Sequence, residues 1–219
     1  MTTTQDIIAA LIPLADAARA PAMRAYMRDQ FPFLGIATPV RRAALNPLLK
    51  SLKGSTAAEL TGIANELWQL DEREYQYAAI DILAMHWKQF TAADLPSLQA
   101  LVHRKAWWDS VDGLAGVVGD VLRFEHHGMD EALRNDNFWM RRIALLHQLG
   151  WRGKTDEERL FNYSLSLGHE NEFFIQKAIG WALRDYARHA PDNVRRFINV
   201  NESRLSRLSV REAAKHLSL

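Results

Sequence analysis

Two tryptophans run directly into two carboxylates in the segment WWDSVDGLAG at 107–116, as Trp107, Trp108, Asp109 and Asp112. Large aromatics beside acids are costly to place anywhere, so the segment is either a buried corner of a core or a surface built to meet something. If it is helical, the spacing of four puts Trp108 and Asp112 on one face, with Trp107 and Asp109 projecting elsewhere. An indole face attracts positive charge, by about 0.5–2 kcal/mol depending on desolvation. Trp108 and Asp112 together therefore suit a cation, whereas Trp107 and Asp109 are assigned to packing and local structure.

Helices must position these groups. Capping-box pairs recur along the chain at Thr56/Glu59, Asp71/Glu74, Thr91/Asp94, Thr155/Glu158 and Ser209/Glu212, each a hydroxyl or Asp cap with an acid three residues later. Between them apolar residues return at three and four, as in Ile80, Leu83 and Trp87 or Ile179, Leu183 and Tyr186. No alternating strand pattern or hairpin turn competes, so the chain reads as all-α. The helices also resemble one another: anchoring on Ala43, Ala78, Val111, Ile143, Ala178 and Ala213 gives spacings of 35, 33, 32, 35 and 35. Such regularity marks stacked helical hairpins, each too thin to bury its own apolar face. The period falls short of the usual HEAT unit of about 40–47 residues, so the expected architecture is a superhelical array of HEAT-like hairpin repeats in one domain, 1–219, with a concave groove. Equivalent helices lie side by side in such an array, so Trp108, Asp112, Arg142 and Trp181 are expected to converge there.

Composition narrows the function. The absence of cysteine excludes disulfides, thiolate metal sites and a cysteine nucleophile, and suits a reducing cytoplasm. The first 20 residues read as an amphipathic helix rather than an export signal, and no apolar run approaches the roughly 18–20 residues that span a bilayer. A net charge of +1 does not announce a nucleic-acid binder, so any basic surface must be a patch on one face. The histidines include only one adjacent pair, His126 and His127, without companions at ligand spacing, and the glycines are scattered singly. Neither a metal hydrolase nor a nucleotide-binding loop is expected, and no cofactor.

The chain resembles the AlkD-like family of DNA alkylation-repair glycosylases in YMRDQFPFLGIATPVRR at 26–42, WWDSVD at 107–112, FWMRRIALLHQL at 138–149 and FFIQKAIGWALRDYA at 173–187. The likeness runs in order from about Ala22 to the C-terminus. It implies a superhelix of HEAT-like repeats whose concave face grips duplex DNA, and hydrolysis of the N-glycosidic bond of N7- and N3-alkylated purines. Carried over position by position, it implies catalytic roles for Trp108, Asp112, Arg142 and Trp181, and DNA contacts from Tyr26, Thr38, Arg42 and Arg184; Lys177, recurring near the same face, is expected to join them. Arg41, Arg188 and Arg211 recur near the same face. Ala37 and Gly150 depart from the expected pattern, standing where a polar and a basic side chain would reach DNA.

The implied chemistry suits these residue types. Alkylation at N7 or N3 makes the purine cationic and a good leaving group, so no strong general acid is needed. What remains is to stabilise oxocarbenium character on the deoxyribose and to place water at C1′, as in glycoside hydrolysis. Asp112 is expected to do both, Trp108 and Trp181 to flank the lesion, and Arg142 to bind backbone phosphate and orient Asp112. The family holds the damaged nucleotide without a dedicated base pocket, unlike glycosylases that extrude the base. The expected partner is alkylated duplex DNA, met by a cytoplasmic, nucleoid-associated monomer with no membrane. Two alternatives share the fold: a non-catalytic helical-repeat DNA-binding protein, which has no use for Asp112, and a protein-interaction scaffold, which is not retained on DNA.

Overall fold

A computed structural model describes residues 2–217. Among these residues there are thirteen α-helices and no strand. They divide after Lys105 into two compact units. The first contains α1 (Thr4–Leu11), α2 (Ala20–Tyr26), α3 (Thr38–Ser51), α4 (Ala57–Gln69), α5 (Arg73–Met85) and α6 (Leu95–Val102). The second contains α7 (Trp108–Leu122), α8 (Met129–Leu133), α9 (Phe138–Leu146), α10 (Glu157–Ser166), α11 (Phe173–Ala187), α12 (Pro191–Asn201) and α13 (Arg207–Ala213).

The repeat register lands on every second helix. Ala43, Ala78, Val111, Ile143, Ala178 and Ala213 fall on α3, α5, α7, α9, α11 and α13. All but Ala43 are fully buried. Within the units these helices pack on one another in order, α3 on α5 in the first and α7 on α9, α9 on α11 and α11 on α13 in the second. Ala43 instead lines an open cleft of about 520 Å³ between α3 and α5, with Arg42, Asn46, Asp81 and Met85. A second set of helices packs against these, α4 on α5 in the first unit, and α8 on α9 and α10 and α12 on α11 in the second.

Two of the five expected capping boxes form, at Thr56/Glu59 and Thr91/Asp94. A further one, Thr3/Asp6, opens α1, which stops at Leu11 before Pro13 rather than running on through residue 20. In the other three expected boxes the cap lies elsewhere. Helix α10 is capped by Asp156, whose carboxylate accepts from Arg159 N–H, and α13 by Ser206, whose hydroxyl accepts from Ser209 N–H. Helix α5 has Glu72 at its cap position and no side-chain cap bond. Of the acids of those boxes, Glu74 has the clearest alternative partners. It is wholly buried and accepts the backbone N–H groups of Leu34, Gly35 and Ile36 at 2.9, 2.9 and 3.0 Å. Charge-assisted bonds of this kind are about twice as strong as neutral ones. They fix the loop that leads into α3, and with it the placement of Thr38.

One glycine sets how closely α11 and α13 approach. A Cβ on Gly180 would stand 2.4 Å from Glu212 Cβ and 2.8 Å from Ser209 O. The Gly180→Ala variant therefore gains about 1 kcal/mol of helix propensity but must push two helices apart, an overpacking cost of about 1–3 kcal/mol. The clash wins because both contacts are with atoms that cannot swing aside. Thermal unfolding followed by circular dichroism is expected to show a Tm lower by a few degrees; an unchanged or raised Tm would refute the close approach.

Candidate active site

Three helix starts in the second unit are tied together by aromatic rings. Trp107, at the cap of α7, packs 6.0 Å from Trp139 in the first turn of α9 and 5.2 Å from Phe174 in the first turn of α11, and Trp139 lies 5.0 Å from Phe174. Such pairs add about 0.5–1.5 kcal/mol each beyond the area they bury. Trp107 thus has the packing role expected of it. The consequence for the site is register: one turn into α7 stands Asp112, and one turn into α9 stands Arg142.

These two form a forked ion pair. Arg142 Nε donates to one carboxylate oxygen of Asp112 at 2.6 Å and Nη2 to the other at 2.8 Å, while Nη1 donates to the Phe174 carbonyl. The Arg142 side chain is 1% exposed and that of Asp112 21% exposed, so the arginine lies inside the protein and the acid keeps an edge open to solvent. Burial pushes the Asp112 carboxyl up from its ordinary value, against the opposing pull of Arg142. All three kinds of guanidinium nitrogen are engaged inside the protein. That geometry serves the orienting task expected of Arg142 and leaves little of the side chain for phosphate.

Trp181, two turns into α11, sits among cations. Its ring centroid is 5.4 Å from Arg142 Cζ, 5.4 Å from Lys177 Nζ and 5.9 Å from Arg184 Cζ. Its indole N–H donates to Glu212 Oε2 at 3.3 Å. Lys177 and Arg184 pair with the same carboxylate, at 2.9 and 3.2 Å. Trp108 opens α7 one turn before Asp112 and is half-buried. The structure therefore joins Asp112, Arg142 and Trp181 through direct contacts and places Trp108 on the same helix face as Asp112.

The other expected DNA contacts lie in the first unit. Tyr26 ends α2 and is 70% exposed, and Thr38 is exposed at the start of α3. Arg42 projects from α3 with both Nε and Nη2 on Asp81 Oδ1, at 3.2 and 3.0 Å. Its neighbour Arg41 is instead buried, with its guanidinium on Asp81 and over the Tyr77 ring, so it belongs to the core rather than to a DNA-facing surface. Ala37 is the cap residue of α3 without a side-chain bond. Gly150 adopts a left-handed φ of 81° and donates its N–H to Asp185, so the backbone turn explains the missing side chain.

Sequence reasoning missed Asp81 and Glu212 as organisers of the basic residues. A signal existed for Glu212: it occupies the position just before the repeat anchor, as do Arg42, Arg142 and Lys177. Reading Ser209/Glu212 as a capping box hid it. Among the described residues no group of three or more acidic or histidine side chains is placed to hold a metal ion, and no helix is long and apolar enough to cross a membrane.

Comparisons agree with this architecture. No curated protein matches the chain. Among solved structures, a predicted DNA alkylation repair enzyme from Enterococcus faecalis shares 36% identity with a TM-score of 0.85, covering 93% of this chain and 96% of that one. AlkD2 from Streptococcus mutans superposes with a TM-score of 0.64 at 15% identity, over 99% of this chain and 100% of that one. The smu.31 protein of Streptococcus mutans UA159 does so with 0.60 at 18%, over 79% and 90%. The latter two show likeness of fold alone. The family model described as DNA alkylation repair enzyme matches residues 7–217, and the chain belongs to that family.

Proposed function

We propose that the protein is a monofunctional DNA glycosylase that hydrolyses the N-glycosidic bond of cationic N7- and N3-alkylpurines in duplex DNA. The observation that carries this reading is the Asp112 carboxylate, open to solvent at one edge and held at both oxygens by a buried Arg142. A carboxylate fixed before substrate arrives stabilises positive charge that develops in the transition state without reorganising to do so. In the proposed reaction the C1′–N9 bond breaks with its electron pair going to the purine, which leaves neutral. Water adds at C1′ and loses its proton toward Asp112, giving an abasic deoxyribose.

The two tryptophans divide the remaining work. Trp181 already has three cations within 6 Å of its ring centroid, which disfavours a full charge stacked on it, so its flat face is assigned to packing on the deoxyribose, with Asp112 offsetting the charge that develops there. Trp108, on the Asp112 face of α7, is assigned to the charged base. Tyr26, Thr38, Arg42, Lys177 and Arg184 are assigned to the DNA backbone, where contacts position without reading sequence. Three of these basic groups have carboxylate partners, Asp81 for Arg42 and Glu212 for Lys177 and Arg184. A phosphate is met there by the donors these side chains keep free, since a lysine carries three N–H groups and an arginine five.

Selectivity follows from charge and lability rather than from base shape. Incubation with duplexes carrying N7-methylguanine, N3-methyladenine or uracil is expected to release the two alkylpurines and no uracil, read by chromatography of the free bases. Uracil release would overturn the mechanism. Retention on alkylated duplex without base release would leave a DNA-binding protein, and no retention at all would leave a scaffold.

A further inference from the structure

Glu212 has no part in the reaction proposed above, yet four side chains converge on it. Oε1 accepts from Lys177 Nζ at 2.9 Å. Oε2 accepts from Lys215 Nζ at 2.8 Å, Arg184 Nη1 at 3.2 Å and the Trp181 indole at 3.3 Å. The side chain is 4% exposed, and a buried carboxylate persists only when paired and hydrogen-bonded. Here the cations win over desolvation and hold it down at about 2. Gly180 makes the arrangement possible, because a Cβ there would clash with Glu212 Cβ at 2.4 Å.

The indole N–H is the only polar handle on a tryptophan, and holding it fixes the rotation of the ring. The same carboxylate offsets the charge of Lys177 and Arg184, which otherwise stand unbalanced beside the ring assigned to the sugar, where positive charge develops. We propose that Glu212 is a positioning residue for Trp181, setting the plane of its indole and neutralising the basic groups around it. The proposal rests on the reading of Trp181 as a lesion-flanking residue.

A double-mutant cycle tests it, using single-turnover release of N7-methylguanine from duplex by the wild type, Glu212→Gln, Trp181→Phe and the double variant. Phenylalanine keeps a ring but has no N–H. Glu212→Gln is expected to slow release about tenfold in the wild-type background, with little further loss once Trp181 is phenylalanine, since contacting residues couple rather than add. Equal slowing in both backgrounds overturns the proposal, because loss through general destabilisation does not depend on Trp181. Fluorescence supplies a readout independent of the reaction. Subtracting each Trp181→Phe spectrum from its Trp181 counterpart isolates this one of the seven tryptophans, and its emission is expected to shift on Glu212→Gln, which removes a charge from beside the indole nitrogen. An unchanged difference spectrum also overturns the proposal. If Glu212→Gln does not fold, Glu212→Asp keeps the charge but withdraws it from the indole, and the same shift is expected. If the wild type releases no N7-methylguanine, the glycosylase reading fails and the fluorescence comparison alone decides the role of Glu212.

Discussion

Replacing Asp112 by Asn is expected to slow single-turnover release of N7-methylguanine by about 100- to 1,000-fold, the loss typical when one preorganised electrostatic stabiliser is removed. The amide keeps the shape of the acid but neither its charge nor its capacity to take a proton from water. It also leaves the Arg142 side chain, 1% exposed, bonded to a neutral amide in place of a carboxylate, which changes the stability of the variant. The rate must therefore be measured below the melting temperature of the variant, and binding to undamaged duplex serves as the control for folding. Binding is expected to survive, because the proposed reaction sets Asp112 against the sugar rather than a phosphate. An Asp112→Asn enzyme that releases N7-methylguanine at the wild-type rate would remove the carboxylate from the mechanism.

The same residue sets a pH dependence. Burial raises the Asp112 carboxyl from its ordinary value, and only the ionised form stabilises a cationic sugar. As pH falls, the wild-type rate is expected to decline through a step lying above the usual aspartate range, while Asp112→Asn shows no such step. For stability the sign follows from the same shift. A carboxyl whose folded value is raised binds protons more readily in the native state, so its ionisation opposes folding as pH rises through the unfolded and then the folded value.

How much of this was legible in the sequence depends on the scale of the interaction. The repeat register survives in structure because burial of one residue per helix repeats along the chain: Ala78, Val111, Ile143, Ala178 and Ala213 are all buried. The pairing of Asp112 with Arg142 was within reach for the same reason, since both are offset by one residue from anchors on packed helices. Caps were read less well. A Ser, Thr or Asp followed three residues later by an acid has the same letters whether the acid turns back to the cap or reaches across to another helix. Glu74 and Glu212 each reach across, one to backbone N–H groups of a loop and the other to a lysine, an arginine and an indole of α11. Local pattern cannot rank a capping bond worth about 1 kcal/mol against several charge-assisted bonds made at long range. Arg41 and Arg42 illustrate the remaining gap. They are adjacent and of one type, yet the side chain of one is 4% exposed and of the other 65%, a difference set by which side of α3 meets α5.

Arg142 offers the test that separates orientation from DNA contact. Arg142→Ala removes both forks to Asp112 and the donor to Phe174 O, and leaves a largely buried acid without its counter-charge. The expected destabilisation is about 3–5 kcal/mol. With desolvation kept and the opposing pull of Arg142 lost, the Asp112 carboxyl rises further, and the acid limb of the pH–rate profile moves toward neutrality. Arg142→Lys restores a positive charge but as a point, without the planar fork that engages both oxygens. It is expected to recover much of the stability and little of the rate. If the guanidinium acts only by holding Asp112, both variants lower the chemical step while the affinity for undamaged duplex and its salt dependence stay near wild type. A phosphate contact predicts the opposite division: weaker binding and a salt slope shallower by about one unit. With every type of guanidinium nitrogen already engaged by Asp112 or Phe174, the buried geometry favours the first outcome, and a shallower slope with an intact chemical step would overturn it.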